Sequence, residues 1–404
     1  MSNLPKVLSF MDIYLLSVGY IIGAGIFVLI GDVSKYAKSL SWLSFIIAGL
    51  FALIISTTYI DVSTIYSTNH GDYSFVKNTL GEIPAIITVI LLISIGITTN
   101  STVALSIGKF LSPILSISPL VIAFIVIVLF TGINCIGVKE TTYYNHICTF
   151  CEIAGLLLVC IMGLFFHKSS IPEIPTTINI PNILYSSVLA IFVYSGFEST
   201  VKLTEEAKDP NDIPKAILAS VITATLIYVL VAIAVVKCCN TKTLHQSTMP
   251  IVTMAKMFFG SKISKLFYII AMLSISNTLV ISILGTSRML YSISREYSIL
   301  NSFNHVNETY NTPIYAIIAI SIVSIFALLF KEVEVLASIT SYLMFIVFSI
   351  LNICLISVYD NEEIQNKLKN NWTYKLNQGK PILPIIGLVL NLGMLGFGVY
   401  HHFV

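Results

Sequence analysis

The chain has 404 residues and a formal net charge of +2, and 56% of its residues are hydrophobic while only 10% are charged. Soluble domains carry roughly 25% charged residues, so these charges are too few to cover a water-soluble protein of this length. The balanced charge and the lack of a basic run give no sign of nucleic-acid binding. The composition therefore predicts an integral membrane protein.

Apolar stretches of about 20 residues recur along the whole chain, which is the length that a helix needs to cross a hydrocarbon core of about 30 Å. We therefore expect an all-α, polytopic protein with a single transmembrane domain over residues 1–404 and about eleven transmembrane helices. The predicted spans are 12–31, 40–62, 84–110, 117–137, 144–166, 182–203, 214–236, 263–290, 313–330, 334–357 and 382–402.

Two of these spans are interrupted by helix-weakening residues. The first contains IIGAGIF at 21–27 and the sixth contains FVYSGFES at 192–199. Glycines between helices can simply allow close packing, but breaks at matching positions of two five-span halves point to the substrate site of a transporter. The first break would direct backbone N–H groups at a carboxylate, and the second would offer oxygens to an amine. The candidate substrate-binding residues are Ile22, Gly23, Ala24, Gly25, Ile26, Phe192, Tyr194, Ser195, Gly196 and Phe197.

Four stretches in chain order resemble the amino acid–polyamine–organocation (APC) transporters. They are VGYIIGAGIFVLIG at 18–31, NHGDYSFVKNTLGEIPA at 69–85, VYSGFESTVKLTEEAKDPNDIPKAI at 193–217, and SRMLYSISREYSIL at 287–300, which NTPIYAI follows at 311–317. The loop after span 6 is the most specific of these. The chain is therefore identified as a candidate amino acid permease of this superfamily.

The resemblance implies a leucine-transporter-like fold with a 5+5 inverted repeat. The halves would be about 12–166 and 182–357, with one additional helix at about 382–402, and the substrate would lie between helices 1 and 6. It also implies a cytoplasmic N-terminus and a place in the cell (plasma) membrane. A small majority of the basic residues, including both arginines, fall on the N-terminal side, which agrees with this orientation. Many relatives have twelve spans, whereas eleven are predicted here.

Ionisable residues inside spans are functional candidates because they are costly in lipid. Glu198 follows the second break, as in the family pattern, and is a candidate for gating or coupling; the alternative is a glutamate that only bonds nearby backbone N–H groups. Glu152 is predicted near the start of span 5, where some relatives carry a lysine. Burial favours the neutral form of a carboxyl group, so Glu152 is a candidate for loading and releasing a proton; the alternatives are a simple polar contact between helices and a position closer to the interface. Asp61 is expected to mark the end of span 2 without being buried.

A sodium ion is the other candidate coupling partner. It would need carbonyl groups of span 1 and side-chain oxygens of span 8, where LSISNTLVIS at 273–282 offers several hydroxyl groups and one amide. Ser276 and Asn277 are the candidate ligands. No metal site or cofactor is expected, because Cys148 and Cys151 have no second pair of ligands.

The sequence thus favours a secondary active transporter of an amino acid or related amine, working by alternating access in a lipid bilayer with H⁺ or Na⁺ as a possible partner. The alternatives are a polyamine or amine exchanger, a non-transporting sensor on the same fold, and a channel. An enzyme is not expected, since the sequence lacks motifs such as H-E-x-x-H and G-x-S-x-G.

Overall fold

The computed structural model describes residues 8–65, 71–136, 138–165, 178–238, 247, 249–307, 309–310 and 312–403. Asn69, His70 and Asn311 of the quoted motifs, and the side chains of Glu205 and Glu206, lie outside this description. Statements about the structure below refer to the described residues.

The described chain consists of helices joined by mostly short connections. Three short segments, Lys38–Leu40, Ser298–Asn304 and Leu328–Phe330, and one of ten residues, Phe197–Glu206, are 3₁₀-helical. The α-helices are α1 (Phe10–Ile21), α2 (Ala24–Ala37), α3 (Ser41–Ile65), α4 (Gly71–Leu80), α5 (Glu82–Leu115), α6 (Pro119–Ile136), α7 (Val138–Phe165), α8 (Ile180–Tyr194), α9 (Asp212–Cys238), α10 (Pro250–Ser294), α11 (Ile314–Ala327), α12 (Val333–Val358), α13 (Glu362–Leu368), α14 (Trp372–Leu376) and α15 (Ile382–Phe403).

This architecture confirms the predicted all-α membrane fold. Eight stretches of the described chain are long and apolar enough to cross a membrane, and one of them, Ala24–Ile65, contains both α2 and α3. Three shorter apolar helices, Phe10–Ile21, Ile147–Gly163 and Ile314–Phe330, accompany them. Each of the eleven predicted spans falls on a described helix or helix pair. No strand occurs in the described ranges, where only two isolated β-bridges are found.

The helices pack around α3 and α9, which lie against each other along much of their length. Gly49 of α3 permits this approach, because a Cβ atom there would lie only 2.5 Å from a methyl group of Thr225 on α9. The helices next to the two breaks, α1, α2 and α8, pack on this pair. On the other side α5 packs against α6, α10 and α12. The breaks are therefore enclosed by neighbouring helices.

We call the end of the bundle at which α1 starts the N-terminal end, and the other end the opposite end. The N-terminal end holds the start of α1, the end of α3 and the connection between α12 and α15. The opposite end holds the end of α2, the end of α5 and the start of α12. This follows from the chain order, because each span reverses the direction of the one before it.

Asp61 corrects one expectation from the sequence, because it is buried and not exposed. Its side chain, in the last turns of α3, is 1% exposed. The Thr373 hydroxyl of α14 donates to its carboxylate. Asn371 lies 3.5 Å from the same carboxylate and donates to the Thr64 hydroxyl at 2.9 Å. The connection between α12 and α15 covers Asp61, and a single sequence could not show this distant packing.

We expect Thr373→Val to lower the free energy of unfolding by about 1–3 kcal/mol, because a buried acceptor loses its hydroxyl donor. Thermal unfolding in detergent measures the effect. Thr309→Val, at an exposed threonine of the same end, is the matched control and should leave the midpoint unchanged. Equal midpoints for the two variants would contradict this role of Thr373.

Candidate functional site

The first predicted break is present where the sequence places it. Helix α1 ends at Ile21, Ile22 and Gly23 are extended, and α2 begins at Ala24. The Ala24 backbone N–H donates to the Thr278 hydroxyl of α10 at 2.8 Å. A Cβ atom on Gly23 would lie 2.6 Å from that same hydroxyl oxygen. Glycine therefore allows the new helix to start directly against α10.

The second glycine of the first break has a different neighbour. A Cβ atom on Gly25 would lie 2.8 Å from the Cα atom of Val193 on α8. Backbone atoms cannot move aside as a flexible side-chain end can, so any side chain at this position would push α2 and α8 apart. The two glycines around Ala24 thus serve two contacts, one with α10 and one with α8.

The second break is also present. Helix α8 ends at Tyr194, and the 3₁₀ segment begins at Phe197. Gly196 between them has φ +123°, in the region that favours glycine. A Cβ atom there would lie 2.2 Å from the Tyr20 carbonyl oxygen of α1. The Gly196 N–H donates to the Glu198 carboxylate at 2.8 Å, so Glu198 holds the turn.

Tyr228 of α9 joins the two breaks. Its hydroxyl donates to the Ile21 carbonyl at 2.8 Å and lies 3.1 Å from the Val193 carbonyl. These carbonyls are at the end of α1 and next to the end of α8, where intrahelical donors run out. The Tyr228 side chain is fully buried. One hydroxyl thereby ties the interrupted backbone of span 1 to that of span 6.

Glu152 lies near the middle of α7 and not near the start of its span, because the helix begins earlier than predicted, at Val138. Its side chain is 0% exposed. The Ser274 hydroxyl of α10 donates to one carboxylate oxygen. The other oxygen has no hydrogen-bond partner among the described residues. Glu152 is therefore a buried acid with capacity for a further contact.

Ser274 and Thr278 connect Glu152 to the first break. They lie one turn apart on α10, and the Thr278 hydroxyl, which binds the Ala24 N–H, also donates to the Ser274 carbonyl at 3.2 Å. A short polar path thus runs from the α7 carboxylate across α10 to the first N–H of α2. The path between the carboxylate and the break consists of two residues of one helix turn, Ser274 and Thr278.

The two candidate sodium ligands differ in position from this pair. Ser276 donates to the Leu273 carbonyl of its own helix and lines a cavity between α5, α6 and α10. It lies about 200° around α10 from both Ser274 and Thr278, so it faces away from the break. Asn277 is buried. Among the described residues, no group of three or more His, Cys, Asp or Glu side chains could hold a metal ion.

The three aromatic candidates near the second break are all buried. The Tyr194 hydroxyl donates to the Phe45 carbonyl of α3 at 2.8 Å. The Phe197 ring packs edge-on against Tyr59 of α3, with ring centres 5.6 Å apart, and lies 5.9 Å from Phe348 of α12. Tyr194 and Phe197 therefore fasten span 6 to its neighbours in this structure. Phe192 is 4% exposed.

A carboxylate at the opposite end binds three side chains from the helices around the breaks. Glu334 at the start of α12 accepts from the Tyr36 hydroxyl of α2 and forms an ion pair with Lys35 at 3.2 Å. The Tyr185 hydroxyl of α8 lies 3.4 Å away, and the Tyr185 ring stacks on His401 of α15. We call Glu334, Lys35, Tyr36 and Tyr185 the opposite-end cluster. It closes α2 and α8 onto α12.

At the N-terminal end, α1 is held against the second half of span 6. The Thr200 hydroxyl donates to the Ser17 hydroxyl at 2.9 Å. A backbone bridge joins Leu8 and Ala207, and the Lys208 N–H donates to the Leu8 carbonyl at 2.9 Å. The structure thus holds contacts on both sides of the breaks.

Sequence reasoning did not single out Tyr228, Ser274 or Thr278 as the partners of the breaks. Ser274 and Thr278 were two of several hydroxyl groups in span 8, with no signal for which face meets span 1. Tyr228 stands in an ordinary apolar stretch, ATLIYVLVA, at 224–232. A tyrosine that is 207 residues from Ile21 and 35 residues from Val193 in the chain cannot be linked to the breaks without knowledge of which helices are neighbours.

Comparison of the sequence with known proteins shows which family the chain belongs to. Residues 8–401 match the amino acid permease family. Cationic amino acid transporter 3, mitochondrial, of Arabidopsis thaliana is 27% identical over 388 residues, covering 88% of this chain and 63% of the relative. The branched-chain amino acid permease BcaP of Bacillus subtilis (strain 168) is 24% identical, covering 78% and 72%. The methylthioribose transporter of the same organism is 25% identical, covering 77% and 72%.

The chain spans slightly less than two thirds of the length of the Arabidopsis relative. The match to the family nevertheless includes both breaks and all the helices that surround them. Its named relatives are transporters and permeases, not enzymes. The chain belongs to the amino acid permease family, within the APC superfamily.

Proposed function

We propose that this chain is a secondary active transporter that moves an amino acid or related amine across a membrane by alternating access. The substrate binds between the unwound parts of spans 1 and 6, which are related by a 5+5 inverted repeat. The observation that carries this proposal is the pair of backbone breaks joined by the Tyr228 hydroxyl. Irregular backbone at membrane depth is tolerated only where it is buried in protein or lines a cavity.

The first break suits a carboxylate. Helix α2 begins there, and the first N–H groups of a helix lack intrahelical acceptors and carry the positive end of the dipole. The Ala24 N–H is already bound by Thr278, so the proposal assigns the substrate carboxylate to the neighbouring N–H groups of Gly23, Gly25 and Ile26. The carbonyls at the second break, near Ser195 and Gly196, then receive the substrate amine.

The contacts at the two ends support a transport cycle. Opening at the opposite end requires α2 and α8 to leave the opposite-end cluster around Glu334. Opening at the N-terminal end requires α1 to leave the 3₁₀ segment, breaking the bond between Ser17 and Thr200. Because the Tyr228 hydroxyl lies within hydrogen-bond distance of carbonyls at both breaks, movement of one half-helix is transmitted to the other. Glu198 acts as a hinge group in this scheme, since it holds the Gly196 turn.

We propose H⁺ as the coupling ion and Glu152 as the group that carries it. The supporting observations are the complete burial of the carboxyl group and its path through Ser274 and Thr278 to the first break. A buried carboxyl group that loses its proton must gain compensating contacts, and movement of span 1 can supply or remove them. Ser276, one of the two candidate sodium ligands, faces away from the break.

The proposal does not specify which side chain the substrate carries. The relatives are named for cationic amino acids, branched-chain amino acids and methylthioribose. Because these substrates differ, a transport assay should test a broad panel of amino acids and amines. A cytoplasmic N-terminus is part of the proposal, because a small majority of the basic residues lie at the N-terminal end. The proposal further assigns the protein to the cell membrane.

Reconstitution into liposomes tests the transport proposal directly. Uptake of radiolabelled cationic, branched-chain and other neutral amino acids and of polyamines would be measured with a proton gradient, a sodium gradient, neither, or preloaded substrate. We expect saturable uptake of one amino acid class. Gly25→Val should abolish it, because the side chain would meet the Val193 backbone. If a monodisperse, helical preparation moves no amino acid or amine under any condition, the proposal fails; exchange confined to polyamines would support the exchanger alternative.

We expect Glu152→Gln to remove the stimulation of uptake by a proton gradient, because glutamine keeps the acceptor for Ser274 but carries no exchangeable carboxyl proton. The comparison is the ratio of initial rates with and without the gradient. Glu198→Gln is the matched control and should retain the stimulation, since an amide oxygen can still accept from the Gly196 N–H. Stimulation that persists in Glu152→Gln, or uptake driven by sodium, would contradict the assignment of Glu152.

We expect Tyr228→Phe to slow uptake by about tenfold, since loss of a buried hydrogen bond of about 1–3 kcal/mol loosens both breaks. Initial rates over a range of substrate concentrations measure the change. Tyr194→Phe is the control, because its hydroxyl bonds the Phe45 carbonyl and does not contact the first break. A Tyr228→Phe protein with the uptake rate of the unmodified chain would show that the bridge is dispensable.

A further inference from the structure

Two cavities among the described residues lie on the outer surface of the bundle, away from the breaks. One, of about 350 Å³, is lined by α5, α6 and α10, including Ile107, Phe130 and Ser276. The second, of about 360 Å³, is lined by Ile114 and by a stretch of α10 that contains Lys265. Both share Tyr268 and Ile269, so they form one continuous groove along α10.

The groove has a basic end and an apolar end. Lys265 lines the cavity that reaches Ile114, next to the last residue of α5, and therefore lies near the opposite end of the bundle. Lys262 stands three residues earlier, on the same side of the helix. Both lysines are exposed. The other cavity is almost entirely apolar, with Met272 and Leu273 in its wall.

No acid of α10 neutralises these lysines, because the segment 250–294 contains neither Asp nor Glu. Two carboxylates of the opposite end are engaged elsewhere. Glu332 forms an ion pair with Lys109 at 3.0 Å, and Glu334 binds Lys35. Within the described part of the chain, neither Lys262 nor Lys265 forms an ion pair. The basic end of the groove therefore has positive charge left for an external anion.

The length of the groove matches one lipid leaflet. Ser276 follows Lys265 by eleven positions, which corresponds to about 16 Å along a helix. Half of a hydrocarbon core of about 30 Å is about 15 Å. If Lys265 lies at the level of the headgroups, Ser276 lies near the middle of the bilayer. A chain bound along the groove would thus extend from the interface to the depth of the breaks.

We propose that this groove is a binding site for an anionic phospholipid. The phosphate lies on Lys262 and Lys265, and one acyl chain lies along Tyr268, Ile269 and Met272 towards Ser276. The Tyr268 hydroxyl, which bonds the Phe110 carbonyl of α5 at 3.2 Å, fixes the wall between the two cavities. The bound chain would end against α10 within one turn of Thr278, the residue that holds the start of α2.

Photolabelling in liposomes tests this site without any transport measurement. The probes are phosphatidylglycerol and phosphatidylcholine that carry a diazirine in one acyl chain, and labelled peptides are mapped by mass spectrometry. We expect phosphatidylglycerol to label the walls of the groove around Ile107, Ile269 and Met272 at least tenfold more than phosphatidylcholine. Equal labelling by the two lipids would overturn the proposal.

Charge-removing variants sharpen the test. A basic residue near an anionic lipid strengthens binding about fivefold, so Lys262→Gln with Lys265→Gln should lower the labelling of the groove about 25-fold. Lys375→Gln with Lys380→Gln removes the same charge from exposed positions at the N-terminal end and should leave it unchanged. Met272→Trp, which fills the apolar cavity, should also abolish the labelling with both lysines intact.

Inorganic phosphate separates a lipid from a free anion as the ligand. We expect millimolar phosphate to leave the labelling by phosphatidylglycerol intact, because the acyl chain contributes most of the contact. Competition by phosphate alone, or unchanged labelling in the double lysine variant, would overturn the proposal. The helical circular dichroism of each variant is compared with that of the unmodified protein, so a loss of folding is recognised as such.

Discussion

The rest of the structure depends on one constraint: backbone that leaves the helix inside a membrane must find other partners. Each break is served by a side chain of a neighbouring element. Thr278 accepts from the N–H that starts α2, Glu198 accepts from the Gly196 N–H, and the Tyr228 hydroxyl lies within hydrogen-bond distance of the Ile21 and Val193 carbonyls. Thr278 and Tyr228 thereby tie α10 and α9 to the breaks.

The glycines of the breaks are required by close approach as much as by conformation. Gly25 meets the backbone of α8, Gly23 meets the Thr278 hydroxyl, and Gly196 combines a positive φ with a contact to the Tyr20 carbonyl. The two broken spans therefore touch each other through atoms of the main chain. Such contacts leave little space for a substrate between the two spans unless the half-helices move. This is what we expect of a site that opens to one side of the membrane at a time.

Much of this fold could be predicted from the sequence, because spans and breaks are local properties. Apolar length located every span, and helix-weakening residues within two spans located both interruptions. The partners of the breaks could not be predicted, since Tyr228 and Thr278 become relevant only when α9 and α10 are known to be neighbours. The same limit explains the error at Asp61, whose burial is produced by Thr373, more than 300 residues away in the chain. Helical periodicity alone could have separated Ser276 from Ser274 and Thr278.

The bridge by Tyr228 has a consequence for what the site attracts. A phenol carries one proton, yet its oxygen lies within hydrogen-bond distance of two carbonyls. At any instant the two carbonyls compete for a single proton, and one of them does not receive a hydrogen bond from the phenol. An ammonium group arriving between the spans brings three protons and can serve the carbonyl that the phenol does not. Binding of a cationic amine would then relieve this competition, so the ligand itself would favour the arrangement in which both half-helices are held.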